Sequence, residues 1–280
     1  MSAVGRRGSL VVSMALMAML CGVGVHTARS EDIPVRPSIN ASALYLVDLK
    51  SGRVLLEKNA TRRLPPASLT KVMTALVALE AASPEQVVRV DRRALVHRSS
   101  LKFHAGEQFL LRDLLTAMLV TSANDACEAI ALHVGGDADR FVAMMNERAR
   151  TLELENTHFA NACGFDAPGH YSTAADLAKL TEQALQVPAI SMMVRTVTRD
   201  IASVDGTRQV LLHSTNELLL DPDVNGVKTG YTSKAGRCLI ASMFKDGHRL
   251  LLVGLNVRDR WDQATRLLRY GQAVLQDTSN

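Results

Sequence analysis

Aromatic side chains are scarce in this 280-residue chain: they make up 4% of it, with a single tryptophan. No basic stripe accompanies them. The stacking platforms and cationic tracks used to bind nucleic acid are therefore missing, and that class of partner gains no support. Cysteine is equally thin. Cys21, Cys127, Cys163 and Cys238 are scattered, without the paired spacing of a zinc site or the density of a disulfide scaffold. Low-complexity tracts and internal repeats are also absent, which excludes solenoids and long disordered linkers. What is present is 47% apolar and 21% charged residues, enough for a sizeable core in one large domain or two small ones.

The first 30 residues differ from the rest. Arg6 and Arg7 make a basic start, Leu10 to Val25 is uncharged and mostly apolar, and small residues follow around Ala28 to Ser30. This is the layout of a secretory signal with cleavage near residues 28–30, and the run is short for a membrane span. A bulky Leu20 before Cys21 argues against lipoprotein processing. Removal takes Arg6, Arg7 and Arg29 and no acid, so the formal charge of +4 falls by three to +1. Residues 31–280 then form the mature domain. Of the three cysteines left, one pair is open to form in an oxidising compartment, and at least one thiol stays free. Cys127 lies three residues after Asn124 and so shares its helix face, although a small buried residue is the plainer reading.

Three short words carry chemistry: Ser68-Leu69-Thr70-Lys71, Ser122-Ala123-Asn124 and Lys228-Thr229-Gly230, in that order. Each alone is weak; together they are the apparatus of a serine acyl-transferase whose base is a lysine. Such a set calls for no metal, cofactor or histidine. Pro65-Pro66 lead into a predicted helix, Ser68 to Glu80, with Ser68 at its start. Lys71 follows one turn later on the same face. Leu69, Val72, Met73, Leu76, Val77 and Leu79 make this helix apolar nearly all round, which implies burial. A buried lysine loses charge and can take the serine proton. Two cations sharing a cleft push one pKa down, so Lys71 is expected neutral and Lys228 charged. Ser122 and Asn124 fall at a helix junction, with Thr121-Ser122 as the capping break. In the third word Gly230 lets a strand edge approach a ligand, Lys228 brings charge and Thr229 a hydroxyl.

Between these words the pattern predicts strands at Ala43–Leu49, Val54–Glu57 and Val87–Val90. Helices follow at 111–120, 122–134, 138–152 and 173–186. Hairpins turn at Asp205-Gly206 and Asp246-Gly247, and a helix from Trp261 to Gln276 closes the chain. Strands at both ends with helices between them imply an α+β fold. One antiparallel β-sheet is built from both ends of the chain, and a mostly helical subdomain is inserted.

PPASLTKVMTA, LLTAMLVTSANDACEAIA, NTHFANACGFDAPGHYSTAADLAKL and GVKTGYTSKAGRCLIAS together resemble one family. It is the penicillin-recognising D-alanyl-D-alanine carboxypeptidases, the low-molecular-mass penicillin-binding proteins of the S11 peptidase kind. The resemblance spans roughly residues 40 to 272 and implies a β-lactamase/transpeptidase-like fold. It implies Ser68 as acylated nucleophile, Lys71 as base, and Ser122 and Asn124 as proton relay and amide contact. Lys228 would set the field, and Thr229 and Gly230 would line the substrate. The N–H groups of Ser68 and Tyr231 would form the oxyanion hole. An arginine after the last hairpin would meet the substrate carboxylate; counting back from Leu267-Leu268 favours Arg260 over Arg258. The implied partners are the peptidoglycan pentapeptide and, as covalent inhibitors, β-lactam antibiotics. Family members with a second β-rich domain and a C-terminal anchor extend further than this chain. That favours a free periplasmic enzyme with no stable membrane anchor once the signal is removed.

The same chemistry serves a DD-endopeptidase acting on cross-links. A β-lactamase needs a glutamate aiming a water, and Glu153-Leu154-Glu155-Asn156 resembles that device only faintly. A non-catalytic β-lactam sensor is disfavoured by the intact Ser-Lys, Ser-Asn and Lys-Thr pairs.

Overall fold

The computed structural model describes residues 35–96 and 101–277; the expected signal lies outside them. Five strands form one antiparallel sheet in the order β2-β1-β9-β8-β7. They are β1 (Ala41–Asp48), β2 (Val54–Lys58), β7 (Val224–Thr232), β8 (Gly236–Lys245) and β9 (His248–Val257). The first two come from the N-terminal side and the last three from the C-terminal side, as the strand pattern implies. Asp246 and Gly247 both take positive φ, +50° and +75°, the two-residue turn whose twist matches the β8–β9 hairpin.

Each face of the sheet buries its own layer. Leu44, Leu46, Leu239, Ala241 and Leu252 pack against Ala264, Leu267 and Leu268 of α7 (Arg260–Asp277). The alternate residues Ala43, Val47, Ile240, Leu251, Val253 and Leu255 join the larger core of the helical insertion. Period-two alternation along the strands is what allows both layers. The insertion holds α1 (Lys71–Ala81), α2 (Leu111–Val120), α3 (Asn124–Gly135), α4 (Ala138–Thr151), α5 (Ala174–Leu185) and α6 (Pro188–Met193). Two small two-stranded antiparallel sheets accompany it: β3 (Val87–Arg89) with β4 (Gln108–Leu110), and β5 (Thr198–Ala202) with β6 (Gln209–His213). Neither β4 nor α6 is foreseen by the sequence pattern. Each spans six residues or fewer, too short for a periodic signal.

α1 is buried along most of its length. It packs among α2, α3, α4 and α5, and the short turn at its N-terminal end lies beside the edge strand β7. No helix among the described residues is long and apolar enough to cross a membrane.

Candidate active site

Ser68 is not the first residue of α1. It lies in a single 3-10 turn, Ala67–Thr70, and the α-helix begins at Lys71. The reason is local crowding. Ala67 adopts φ +50°, and its carbonyl accepts the Thr70 hydroxyl at 2.9 Å. Two glycines close on this turn. A Cβ on Gly164 would stand 1.9 Å from the Ala67 carbonyl oxygen, and one on Gly230 would stand 3.0 Å from the Ser68 nitrogen. The serine is thus held between a loop and the β7 edge, where backbone replaces side chain.

Lys71 is fully buried and reaches three groups. Its Nζ lies 3.0 Å from Ser68 Oγ, 2.8 Å from Asn124 Oδ1 and 2.7 Å from the Cys163 carbonyl oxygen. The last two accept only, so they take N–H groups from the amine. A neutral amine has two N–H groups and one lone pair. With both N–H groups engaged, the lone pair is left for the serine hydroxyl. Burial lowers the Lys71 pKa to about 7, against the pull of the Glu128 and Asp125 carboxylates.

The second word differs from expectation at its first residue. Ser122 takes φ +62° and stays outside the helix, and α3 starts at Asn124. The expected cap at Thr121-Ser122 does not form; the Thr121 hydroxyl bonds back to the Ala117 carbonyl at 2.8 Å. The left-handed residue turns the chain between α2 and α3, so that Asn124 presents its amide to Lys71.

In the third word Lys228 is 1% exposed, and its Nζ donates to the Thr229 carbonyl at 3.0 Å. Burial pushes its pKa well down, and Lys71 and Arg260 push the same way. Burial and the neighbouring cations thus act against a charge on Lys228, opposite in direction to the expectation of a charged Lys228 beside a neutral Lys71. Lys71 has carboxylates facing it, whereas the charges acting on Lys228 are cations. Thr229 Oγ1 lies 2.6 Å from Thr215 Oγ1. Tyr231 is 67% exposed on the edge strand. Arg260, the first residue of α7, directs Nη1 to the carbonyls of Gly230 and Cys238 at 3.3 and 3.5 Å and stacks over Trp261.

The D-alanyl-D-alanine carboxypeptidase family model, Peptidase_S11, matches residues 29–259. The chain belongs to this family. D-alanyl-D-alanine carboxypeptidase DacF of Bacillus subtilis is 34% identical over 82% of this chain and 61% of its own length. The chain thus spans about three-fifths of that relative. Among solved structures, the Streptomyces K15 DD-transpeptidase superposes with a TM-score of 0.80 at 28% identity, over 85% of this chain and 99% of that one. Penicillin-binding protein D2 of Listeria monocytogenes, in its ampicillin-bound form, gives 0.75 at 30% identity over 84% and 99%.

Several groups around the candidate site leave little trace in the sequence. The Cys163 carbonyl is backbone, and any residue type supplies one. Asn161 shapes its loop: Oδ1 accepts the N–H groups of Cys163, Gly164 and Phe165 at 3.2, 2.8 and 2.9 Å. Thr74 Oγ1 ties the same loop to α1 through the Ala162 carbonyl at 2.6 Å. Asp166 accepts the Thr232 hydroxyl at 2.6 Å and the Lys234 N–H at 3.2 Å, joining the loop to the end of β7. His170 Nδ1 accepts the Ala160 N–H at 2.9 Å, so its Nε2 carries the proton and donates to Thr70 Oγ1 at 2.9 Å. Burial lowers the His170 pKa to about 4. Cys127 and Cys163 form a disulfide. Cys238 is free and buried, with its thiol pushed up to about 11 and so kept inert.

Proposed function

We propose that this S11 peptidase removes the terminal D-alanine from peptidoglycan stem peptides through a Ser68 acyl-enzyme, and that β-lactams acylate the same serine. The observation that carries the reading is the Lys71 amine, with two acceptors for its N–H groups and Ser68 Oγ at 3.0 Å for its lone pair. A general base works best with a pKa near the operating pH, and Lys71 has one of about 7.

In this scheme Lys71 takes the hydroxyl proton as Ser68 Oγ attacks the penultimate D-Ala carbonyl. The N–H groups of Ser68 and Tyr231 hold the oxyanion. Ser122 passes a proton to the departing D-alanine amine, and Asn124 orients the peptide amide. Water then hydrolyses the ester. Lys228, Thr229 and Arg260 receive the terminal carboxylate beside Gly230. A carboxylate there would bring an opposite charge to Lys228, so binding would raise its pKa. The ampicillin-bound relative of the same fold supports the β-lactam part. Export by the 1–30 signal to the periplasm or another extracytoplasmic space, with residues 31–280 as the working domain, belongs to the same proposal.

The test is intact-protein mass spectrometry with penicillin, beside D-alanine release from a pentapeptide. One adduct that is lost in Ser68→Ala, together with D-alanine release, supports the reading. An adduct surviving that change overturns it. Faster cleavage of a cross-linked muropeptide than of the pentapeptide would move the activity to a DD-endopeptidase.

A further inference from the structure

The two acceptors of the Lys71 N–H groups are joined by a covalent bridge. Asn124 begins α3, and Cys127 stands three residues on, one turn along the same helix. Cys127 is bonded to Cys163, whose own carbonyl is the other acceptor. Both cysteines are buried, at 0% and 1% exposure, and their Cα atoms are 5.9 Å apart. The path from one acceptor to the other is thus a helical turn and a disulfide, although the two lie 39 residues apart in the chain. Asn161 and Thr74 tie the Cys163 loop to itself and to α1. The disulfide adds the tie to α3. It also sets Cys163 Sγ 3.3 Å from Glu128 Oε1, next to a carboxylate whose charge acts on Lys71.

We propose that the Cys127–Cys163 disulfide is a positioning clamp for the general base. It holds the Asn124 amide oxygen and the Cys163 carbonyl in one register, so that the Lys71 lone pair stays aimed at Ser68. The inference rests on the reading of Lys71 as base given above. Opening the bridge frees the loop from α3, admits water to the amine and loosens its aim. The charges that face Lys71 are Asp125 and Glu128 from α3 and Lys228 from β7. Of these, the bridge lies beside Glu128. A chain kept in a reducing compartment would carry its base without the clamp.

The experiment compares oxidised wild type with Cys127→Ser/Cys163→Ser, measuring second-order acylation by a fluorescent penicillin from pH 5 to 9. Circular dichroism confirms that each protein is folded. Acylation in the double variant is expected to fall about tenfold or more at pH 7. Its rising limb should move up by about one pH unit, because a better hydrated amine regains its proton. A limb and rate equal to wild type, with only a lower Tm, would overturn the clamp and leave the bridge a structural staple. Should the double variant not fold, wild type reduced by a water-soluble phosphine decides. Its thiols are counted by alkylation and its folding is checked; an unchanged limb there overturns the proposal equally. Oxidised wild type that takes up no penicillin would instead sink the functional reading on which the clamp rests.

Discussion

Thr215 Oγ1 stands 2.6 Å from Thr229 Oγ1, and the Thr215 N–H donates to the Val120 carbonyl at 3.1 Å. One exposed residue thus links the end of α2, just before Ser122, to the Lys228-Thr229-Gly230 strand. The hydroxyl pair holds Thr229 Oγ1 against Thr215. Thr215→Val removes one such bond, commonly about 0.5–1.5 kcal/mol. The expected result is a loss of about 2- to 10-fold in kcat/KM on a D-Ala-D-Ala acid, with the fold unchanged. A Thr215→Ser enzyme should retain most of the activity.

The base should show itself in the pH dependence of acylation. Lys71 titrates at about 7, far below an ordinary lysine, because of burial. The neutral form is the reactive one, so the rate rises with pH through about 7 and then levels. Lys71→Arg keeps its charge at every accessible pH and should lose about 10²- to 10⁴-fold. Stopped-flow acylation by a chromogenic cephalosporin measures both.

Stability should fall in mild acid because of His170. Its pKa is about 4 in the fold, where Nδ1 accepts the Ala160 N–H, and about 6.5 in an unfolded chain. The unfolded chain therefore binds the extra proton between these values. The contribution is fully present above about pH 6.5 and is lost as pH falls towards 4. The full span corresponds to about 3 kcal/mol. Urea unfolding from pH 4 to 7 checks it, and a His170→Gln variant should lose that slope.

Gly164 faces the Ser68 turn without a side chain. It adopts φ +87°, and a Cβ there would stand 1.9 Å from the Ala67 carbonyl oxygen. Gly164→Ala should cost about 2–4 kcal/mol of unfolding free energy. It should depress acylation beyond that loss, because the displaced atom belongs to the residue before Ser68, the proposed nucleophile. Thermal melts and penicillin uptake, read together, separate the two effects.

Arg260 lies beside the Gly230 carbonyl, where a substrate carboxylate would sit. Losing a desolvated, charge-assisted contact costs about 2–5 kcal/mol. Arg260→Ala should therefore be crippled on a D-Ala-D-Ala acid and much less affected on the same peptide capped as an amide. Equal losses on both would make Arg260 structural, and a selective loss in Arg258→Ala would move the contact by two residues.

The sequence alone determined the layout of the fold and singled out Ser68 and Lys71, the pair proposed as nucleophile and base. Ser68 and Lys71 are three apart where a 3-10 turn leads into an apolar helix, and local spacing suffices to bring them together. The alternating strands at the two ends of the chain likewise imply the sheet, since period two with two buried faces has few other solutions. What tertiary structure decided is everything that depends on groups remote in the chain. The Cys163 carbonyl meets Lys71 from 92 residues away and has no residue-type signal. Which cysteines pair was open from sequence, because scattered cysteines carry no connectivity; the packing of α3 against the 156–172 loop selects Cys127 and Cys163. The left-handed backbone at Ser122 is not a propensity of serine but a turn imposed by packing α2 on α3. The balance of charge between the two lysines is set in the same way. Burial weakens both, and only the folded positions of Glu128, Asp125 and Arg260 say which of the two has carboxylates to face.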